Sequence, residues 1–378
     1  MKAESSHSLL DDITKIHRID KSNMLQFSIE ASKNYREATR LAQEINMKCP
    51  KVGNVIIAGM GGSGIGGEIL KDYARDKAPM PIEISRDYTL PNYANRQSLV
   101  VVVSYSGDTE ESLSAFLDAV KRRCKVFCIS SGGALLQHAA KLGVPFLRVP
   151  TGMPPRAASP YLLVPQLLLL EKLNLVNGVS GALEEAFRVL ERVSRENAPG
   201  NPPEKNSAKS LAIGLNGTVP VIYGFGVYRA VAQRWKQQFN ENTKIPAKWE
   251  MLPELDHNEI VGWENAGDVT DCFSTVFIRD KQEPQEVRSR IETTKVLMPE
   301  ISKQFEVYAQ GEGMLAKMLS IILVGDFTSI YLAILRKTDP TPVKTINALK
   351  KKLSETGIRE RIIRELESIA NSSGKKNK

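Results

Sequence analysis

Two segments of this chain carry glycines and hydroxyls at spacings suited to holding a phosphate. GMGGSGIGGE, Gly59 to Glu68, follows a short apolar run and opens a helical pattern. SYSGDTEES, Ser104 to Ser112, follows a second apolar run and carries hydroxyls at Ser104, Ser106 and Thr109. A phosphate monoester presents three oxygens and nearly two charges, which call for hydroxyl and backbone N–H donors at a helix N-terminus. Gly62 and Ser63 on the first loop, with Ser104, Ser106 and Thr109 on the second, supply such donors. Both loops leave strand ends, where open α/β sheets place their ligands. Two other readings stand beside this one. Gly59, Gly61 and Gly64 satisfy G-x-G-x-x-G, and Glu83 lies on the next strand, which is nearly a dinucleotide fingerprint. A dinucleotide fold, however, has no need of the second hydroxyl loop. Thr109 with the acids after it also reads as a plain helix cap, which leaves Ser104 and Ser106 unexplained.

Other polar residues are candidates on weaker grounds. Arg156 follows Pro154 and Pro155 and precedes small residues, so a stiff loop can hold it near a ligand. Glu241 in NENTK is a possible proton-transfer base and reads equally as an exposed carboxylate at a helix end. Of the four histidines, His7 and His17 lie in the N-terminal stretch and His138 on a helix. His257 alone sits among Asp256, Asn258 and Glu259, polar neighbours able to set its tautomer and pKa. Glu254 and Glu259 are rival bases. The cysteines (Cys49, Cys124, Cys128 and Cys272) have neither a CxxC pair nor histidines at zinc spacing, so they read as structural and no metal site is expected.

The elements that must position these residues alternate. Strands are expected at 54–58, 82–85, 99–103, 126–130 and 145–149, separated by helices at 66–75, from about 109, and at 134–141. Such alternation means βαβ units and a parallel sheet covered on both faces. Helices at 151–174 and 181–196 lead to NAPGNPPEKNS, which reads as a linker. The pattern then restarts with a strand at 219–223, a GFG turn and a helix at 227–239, an echo of 54–75 that points to a diverged internal duplication. Strands at 273–279 and 304–308 and helices at 286–296 and 314–336 complete it. The fold class is therefore α/β, with two parallel sheets flanked by helices. The division expected is an N-terminal helical segment 1–49 with one helix over 24–47, a first domain 50–196, a linker 197–207, a second domain 208–353 and an extension 354–378. Within the extension 358–370 is amphipathic, and the last residues, SSGKKNK, read as disordered.

Composition sets outer limits. The chain has 378 residues, 42% hydrophobic and 25% charged, which is ordinary for a globular protein. No apolar run is expected to span a membrane, the longest candidate being Tyr161 to Leu170, and the polar N-terminus is no secretory signal, so a cytoplasmic protein without a membrane partner is expected. The net charge of +8 is dispersed rather than clustered, which suits attraction of a small dianion better than nucleic-acid binding.

Three further motifs, PPRAASPY (154–161), NENTKIPAKWEMLPELDHNEIVGW (240–263) and DPTPVKTINALKKKL (339–353), occur in order after the two loops. The five together resemble the bifunctional phosphoglucose/phosphomannose isomerases of archaeal type, built from two sugar-isomerase (SIS) domains. The resemblance implies an aldose–ketose isomerase that interconverts glucose or mannose 6-phosphate with fructose 6-phosphate through a cis-enediolate, with no metal or organic cofactor. It implies that Ser63, Ser104, Ser106 and Thr109 hold the 6-phosphate and that Arg156 steadies the enediolate. Glu241 would be the base, His257 the ring-opening residue supplied by the other subunit of a homodimer, and Lys350 an aid to ring opening. Lys351 and Lys352 blur the last assignment. Where the family commonly has SYSGNTEE, Asp108 replaces the asparagine, and it is expected to point to solvent.

Overall fold

The computed structural model describes residues 9–48, 51–265, 267–298, 301 and 303–374. Two compact units emerge, one of Met1–Lys33 with Gly181–Pro342 and one of Asn34–Ser180 with Val343–Lys378. The second contains a five-stranded sheet and the first a four-stranded one.

In the five-stranded unit the strands are β1 (Asn54–Ala58), β2 (Ile82–Ser85), β3 (Ser98–Val103), β4 (Lys125–Ser130) and β5 (Phe146–Arg148), in the order β2-β1-β3-β4-β5 and all parallel. SLVVVV in β3 is buried along its whole length, as expected of a central strand covered on both faces. One face, with Ile56, Val100 and Cys128, packs under the helices Glu110–Lys121 and Gly133–Lys141. The other receives the helix Gly61–Ala74, which lies against Ile57 and beside the helix Ser159–Lys172, buried from Ser159 to Leu170. The helix Ile358–Gly374 also belongs here. Its Ile362 and Leu366 are 3% and 0% exposed and enter the same core as Phe116 and Leu135. The stretch 354–378, expected as an extension, thus supplies a layer of this unit as far as Gly374, and the final lysine-rich residues 375–378 lie outside the described residues.

The four-stranded unit has β6 (Val219–Phe225), β7 (Lys248–Leu252), β8 (Phe273–Arg279) and β9 (Gln304–Tyr308), ordered β7-β6-β8-β9 and parallel. That order repeats β2-β1-β3-β4, which is how a duplicated unit would be wired. The helix Met314–Leu335 forms its core. By length and composition this helix could cross a membrane, which corrects the expectation that no stretch approached that limit, but 89% of its apolar window is buried inside the unit. Its two charges are consumed internally, Lys317 by Asp280 at 3.0 Å and Asp326 by Arg234 at 2.8 Å. The stretch read as a linker is also interior to this unit. Asn197 is fully buried, accepts from Ala208 N at 2.9 Å, and offers its carbonyl to Tyr331 Oη at 2.6 Å. Asn206 then caps the helix Ser207–Leu215 through Lys209 N. At the N-terminal end, the single helix expected over 24–47 is two, Met24–Ile29 and Ala31–Ala42, preceded by Ile13–Ile19.

Candidate active site

Strand order reverses between β1 and β3, and their ends are level to within one residue, Ala58 facing Val102 across the pair. The loops that follow therefore leave the same sheet edge side by side, at the switch point where open α/β sheets bind ligands. Ser63, in the first turn of Gly61–Ala74, accepts a hydrogen bond from Tyr105 N at 3.1 Å. Ser104 is fully buried; its hydroxyl accepts from Gly107 N at 3.1 Å and donates to Thr109 Oγ1 at 3.2 Å. Ser106 is exposed and accepts from Asp108 N at 3.3 Å. Thr109 is the N-cap residue of Glu110–Lys121, yet its side chain makes no capping bond to the helix, unlike a residue present only as a cap. Gly107 adopts φ +75°, and a Cβ there would lie 1.9 Å from the Gly132 carbonyl, so the tight turn admits no side chain.

The PPRAASPY loop closes against this pair. Tyr105 Oη accepts from Met153 N at 3.0 Å, and a Cβ on Gly62 would meet the Pro155 carbonyl at 3.0 Å and Arg156 N at 3.3 Å. Tyr105, which sequence reasoning passes over, thus ties three loops together through its backbone N–H and its hydroxyl. Burial pushes that hydroxyl's pKa up, the Met153 N–H bond opposing, so it stays neutral. Arg156 is 3% exposed beside Gly62. Gly62, Ser63, Ser104, Ser106, Thr109 and Arg156 are therefore gathered in one place, where hydroxyls, backbone N–H groups and a buried arginine adjoin one another.

Asp108 does not simply face solvent, which corrects the expectation. Its Oδ1 accepts from Ala134 N at 3.1 Å, at the start of Gly133–Lys141, and meets Arg359 Nη2 at 2.5 Å. The dinucleotide reading loses its acidic partner as well. Glu83 pairs in register with Ile56, two residues short of the strand end, and is exposed. Its neighbour is Tyr93, whose pKa is pushed up to about 12 by burial and by Glu83.

Lys350 lies in the same unit on the helix Lys344–Ser354, none of whose residues is buried. Ile346, Leu349 and Leu353 form an exposed apolar stripe on it, 40%, 57% and 37% accessible. At about 100° per residue, Lys350 borders the stripe and Lys351 lies opposite it.

Glu241 and His257 belong to the four-stranded unit. Glu241 is half-buried in a π-helical turn, Phe239–Thr243, that continues the helix Arg229–Gln238. Such turns cluster at functional sites because the extra residue re-aims a side chain. Its neighbour Asn242 is fully buried and donates to Ser329 Oγ at 2.9 Å, and Lys244 Nζ caps the turn through the Glu241 carbonyl. His257 ends the 3₁₀ turn Glu254–His257, is exposed, and has no hydrogen-bond partner among the described residues. The polar neighbours expected to tune it are engaged elsewhere. Asp256 takes Arg290 at 3.0 Å and Thr294 Oγ1 at 2.8 Å, Asn258 donates to Glu254 at 2.9 Å, and Glu259 accepts from Tyr223 Oη at 2.6 Å. Burial raises the Glu259 pKa, opposed by the Tyr223 bond. Both rival carboxylates thus have a structural task. Cys128 is a buried thiol with its pKa raised by burial, Cys124 and Cys272 are free, and Cys49 and His7 lie outside the described residues.

Comparison with known proteins gives a consistent picture. A model of the bacterial phospho-glucose isomerase C-terminal SIS domain matches residues 204–353. The bifunctional phosphoglucose/phosphomannose isomerase of Caldicellulosiruptor bescii is 41% identical over 313 residues, 82% of this chain and 92% of the relative. The protein of the same name from Thermoplasma acidophilum is 33% identical over 334 residues, 88% of this chain and 99% of the relative. A solved structure of a hypothetical protein from Thermus thermophilus shares the fold, with a TM-score of 0.70 at 14% identity, over 91% of this chain and 93% of that one. Identity of this extent over nearly whole relatives, on a fold of two parallel sheets with a donor-lined switch point, means that the chain belongs to the family of bifunctional phosphoglucose/phosphomannose isomerases.

Proposed function

We propose that this chain interconverts glucose 6-phosphate and mannose 6-phosphate with fructose 6-phosphate in the cytoplasm. The observation that carries the reading is the set of donors from Gly62, Ser63, Ser106, Thr109 and Arg156 held at one switch point by Tyr105. Such a site takes a phosphate monoester and leaves the sugar carbons free for chemistry. Aldose–ketose isomerisation moves one proton between C1 and C2, and it needs a carboxylate base, a cation near the enediolate oxygen and a group to open the ring. Glu241 is the base, Arg156 the cation, and His257 opens the ring with help from Lys350. Ser104, buried and bonded on both sides, shapes the loop rather than touching substrate.

The functional unit is a homodimer whose sites are completed across a two-fold axis. In support, His257 is exposed and without a partner among the described residues, and Val261 beside it is 58% exposed. Incubation with fructose 6-phosphate in the absence of any added cofactor, with glucose and mannose 6-phosphates assayed as products, tests the reaction; no aldose phosphate formed would refute it. Mixed dimers test the shared site. Glu241→Gln and His257→Ala variants, each inactive alone, should regain up to about a quarter of wild-type activity on random subunit exchange. No recovery despite verified exchange would place His257 in its own chain's site.

A further inference from the structure

The family domain matched in this chain ends at residue 353, yet the chain continues into the helix Ile358–Gly374. That helix is fastened to the two helices that follow the strand-end loops. Lys121 pairs with Glu365 at 2.5 Å, Lys141 with Glu367 at 3.8 Å, and Ile362 and Leu366 enter the core between them. Its first turn carries Arg359, whose guanidinium meets Asp108 at 2.5 Å. Asp108 stands between Ser106 and Thr109, two of the proposed phosphate donors. A carboxylate in that position opposes a dianion, because like charges at such separations are only partly screened. Arg359 supplies the compensating charge, and with the Ala134 N–H it holds both the direction and the electrostatic effect of the carboxylate.

We infer that Arg359 is a positioning residue for sugar-phosphate binding, and that the C-terminal helix serves the site by neutralising Asp108 in the hydroxyl loop. The inference rests on that loop holding the substrate phosphate. The ion pair is partly exposed, 32% and 43% for the two side chains, so it adds little to folding stability. Its effect should fall on substrate affinity, since a bound dianion meets the unpaired carboxylate whenever the arginine is lost.

The test is a charge cycle. Arg359→Met keeps much of the aliphatic stem and removes the charge. It is expected to raise KM for fructose 6-phosphate roughly five- to tenfold, about 1 to 1.4 kcal/mol of binding, with kcat within about twofold. Asp108→Asn in the Arg359→Met background is expected to return KM to within about twofold of wild type, because asparagine keeps the acceptor for Ala134 N and drops the charge. Raising the ionic strength should shrink the single variant's defect, as screening does for partly exposed charges. An Arg359→Met KM within twofold of wild type overturns the inference. So does a defect that survives in the double variant, which would mean packing rather than charge. Ser104→Ala with Thr109→Ala separates the two layers of the argument. An unchanged KM there removes the phosphate site itself, whereas a raised KM alongside a normal Arg359→Met refutes only the role of Arg359.

Discussion

The two buried-loop hydroxyls should part company when each is removed. Ser104 Oγ is fully buried, takes one N–H and gives its own hydrogen to Thr109 Oγ1, so both of its bonds lie inside the protein. Thr109 Oγ1, by accepting that hydrogen, is left to direct its own outward, and it makes no bond to its helix. Thr109→Ala therefore deletes a hydroxyl aimed at a charged ligand, worth roughly 1.5 to 3 kcal/mol, or about 12- to 150-fold in KM. It also takes the acceptor away from the buried Ser104 hydroxyl, so a modest loss of stability should accompany the larger change in KM. Ser104→Ala leaves the Gly107 N–H with only the Ser104 carbonyl, at 3.1 Å, and frees Thr109 to rotate. That should cost about 1 to 3 kcal/mol of stability and only a few-fold in KM. Phosphate contacts act alike in ground and transition states, so kcat should move less than KM in both. Steady-state kinetics on fructose 6-phosphate and denaturant unfolding of both variants decide it. If Ser104→Ala raises KM more than Thr109→Ala while unfolding like wild type, the assignment of inner and outer hydroxyls is wrong.

Glu241→Gln should lower kcat by about a hundred- to ten-thousandfold while a bound sugar phosphate still protects against unfolding, the usual scale for a lost proton-transfer group. More than about a tenth of wild-type activity would remove Glu241 from the base's role. Leu366→Ala, at a site with no exposure in the core shared with Phe116, should destabilise by about 2 to 5 kcal/mol in urea, whereas a helix merely resting on the surface would lose under about 1. Glu259, its pKa raised by burial, is harder to keep ionised in the folded state than in the unfolded one. Ionisation therefore costs stability above the raised pKa, and the cost vanishes as pH falls below the unfolded value near 4.5. Stability of Glu259→Gln relative to wild type, by urea unfolding, should accordingly be greater at pH 7.5 than at pH 4.5; the opposite trend would mean that the Tyr223 bond outweighs burial.

The strands and their helices were readable because apolar runs such as SLVVVV and VIIA have no other use than a covered parallel sheet. β7 escaped because it is an edge strand with only Leu252 fully buried, and KWEML carries no such run. The hydroxyl loops were legible from residue type, but the division of labour within them was not. Ser104 and Ser106 look alike in sequence, and only the turn around Gly107 makes one internal and the other exposed. Asp108 and Arg359 stand 251 residues apart, and no local pattern pairs them. The same holds for Tyr105 and Met153, where an aromatic residue inside a polar loop is the one signal that something must anchor it. NAPGNPPEKNS was read as a linker from composition alone. Its asparagines instead spend their side chains on buried backbone groups, as Asn197 and Asn206 do, which composition does not distinguish from solvent exposure.

On the proposed reading each chain offers one phosphate site, and the second sheet has a physical reason not to offer another. β6 and β8 stand in their sheet as β1 and β3 stand in theirs, so the residues after β8 occupy the place of the hydroxyl loop. Asp280 and Glu283 are there instead, both buried. Asp280 accepts from Tyr228 Oη at 2.7 Å and pairs with Lys317 at 3.0 Å, while Arg279 binds Glu283 at 2.5 Å. Burial pushes the Asp280 pKa up, but the bonds from Tyr228, Gln282 N and Lys317 outweigh it and hold the carboxyl below its usual range. The charges that an incoming dianion would need are already spent, and the carboxylates holding them would repel it. One copy of the unit has thus kept its strand ends open and rich in donors, and the other has closed the same edge with buried ion pairs. In the closed copy, Glu241 lies in the turn before β7 and His257 in the turn after it. On the proposed reading, the copy whose strand ends are closed to phosphate contributes Glu241 and His257 to proton transfer instead.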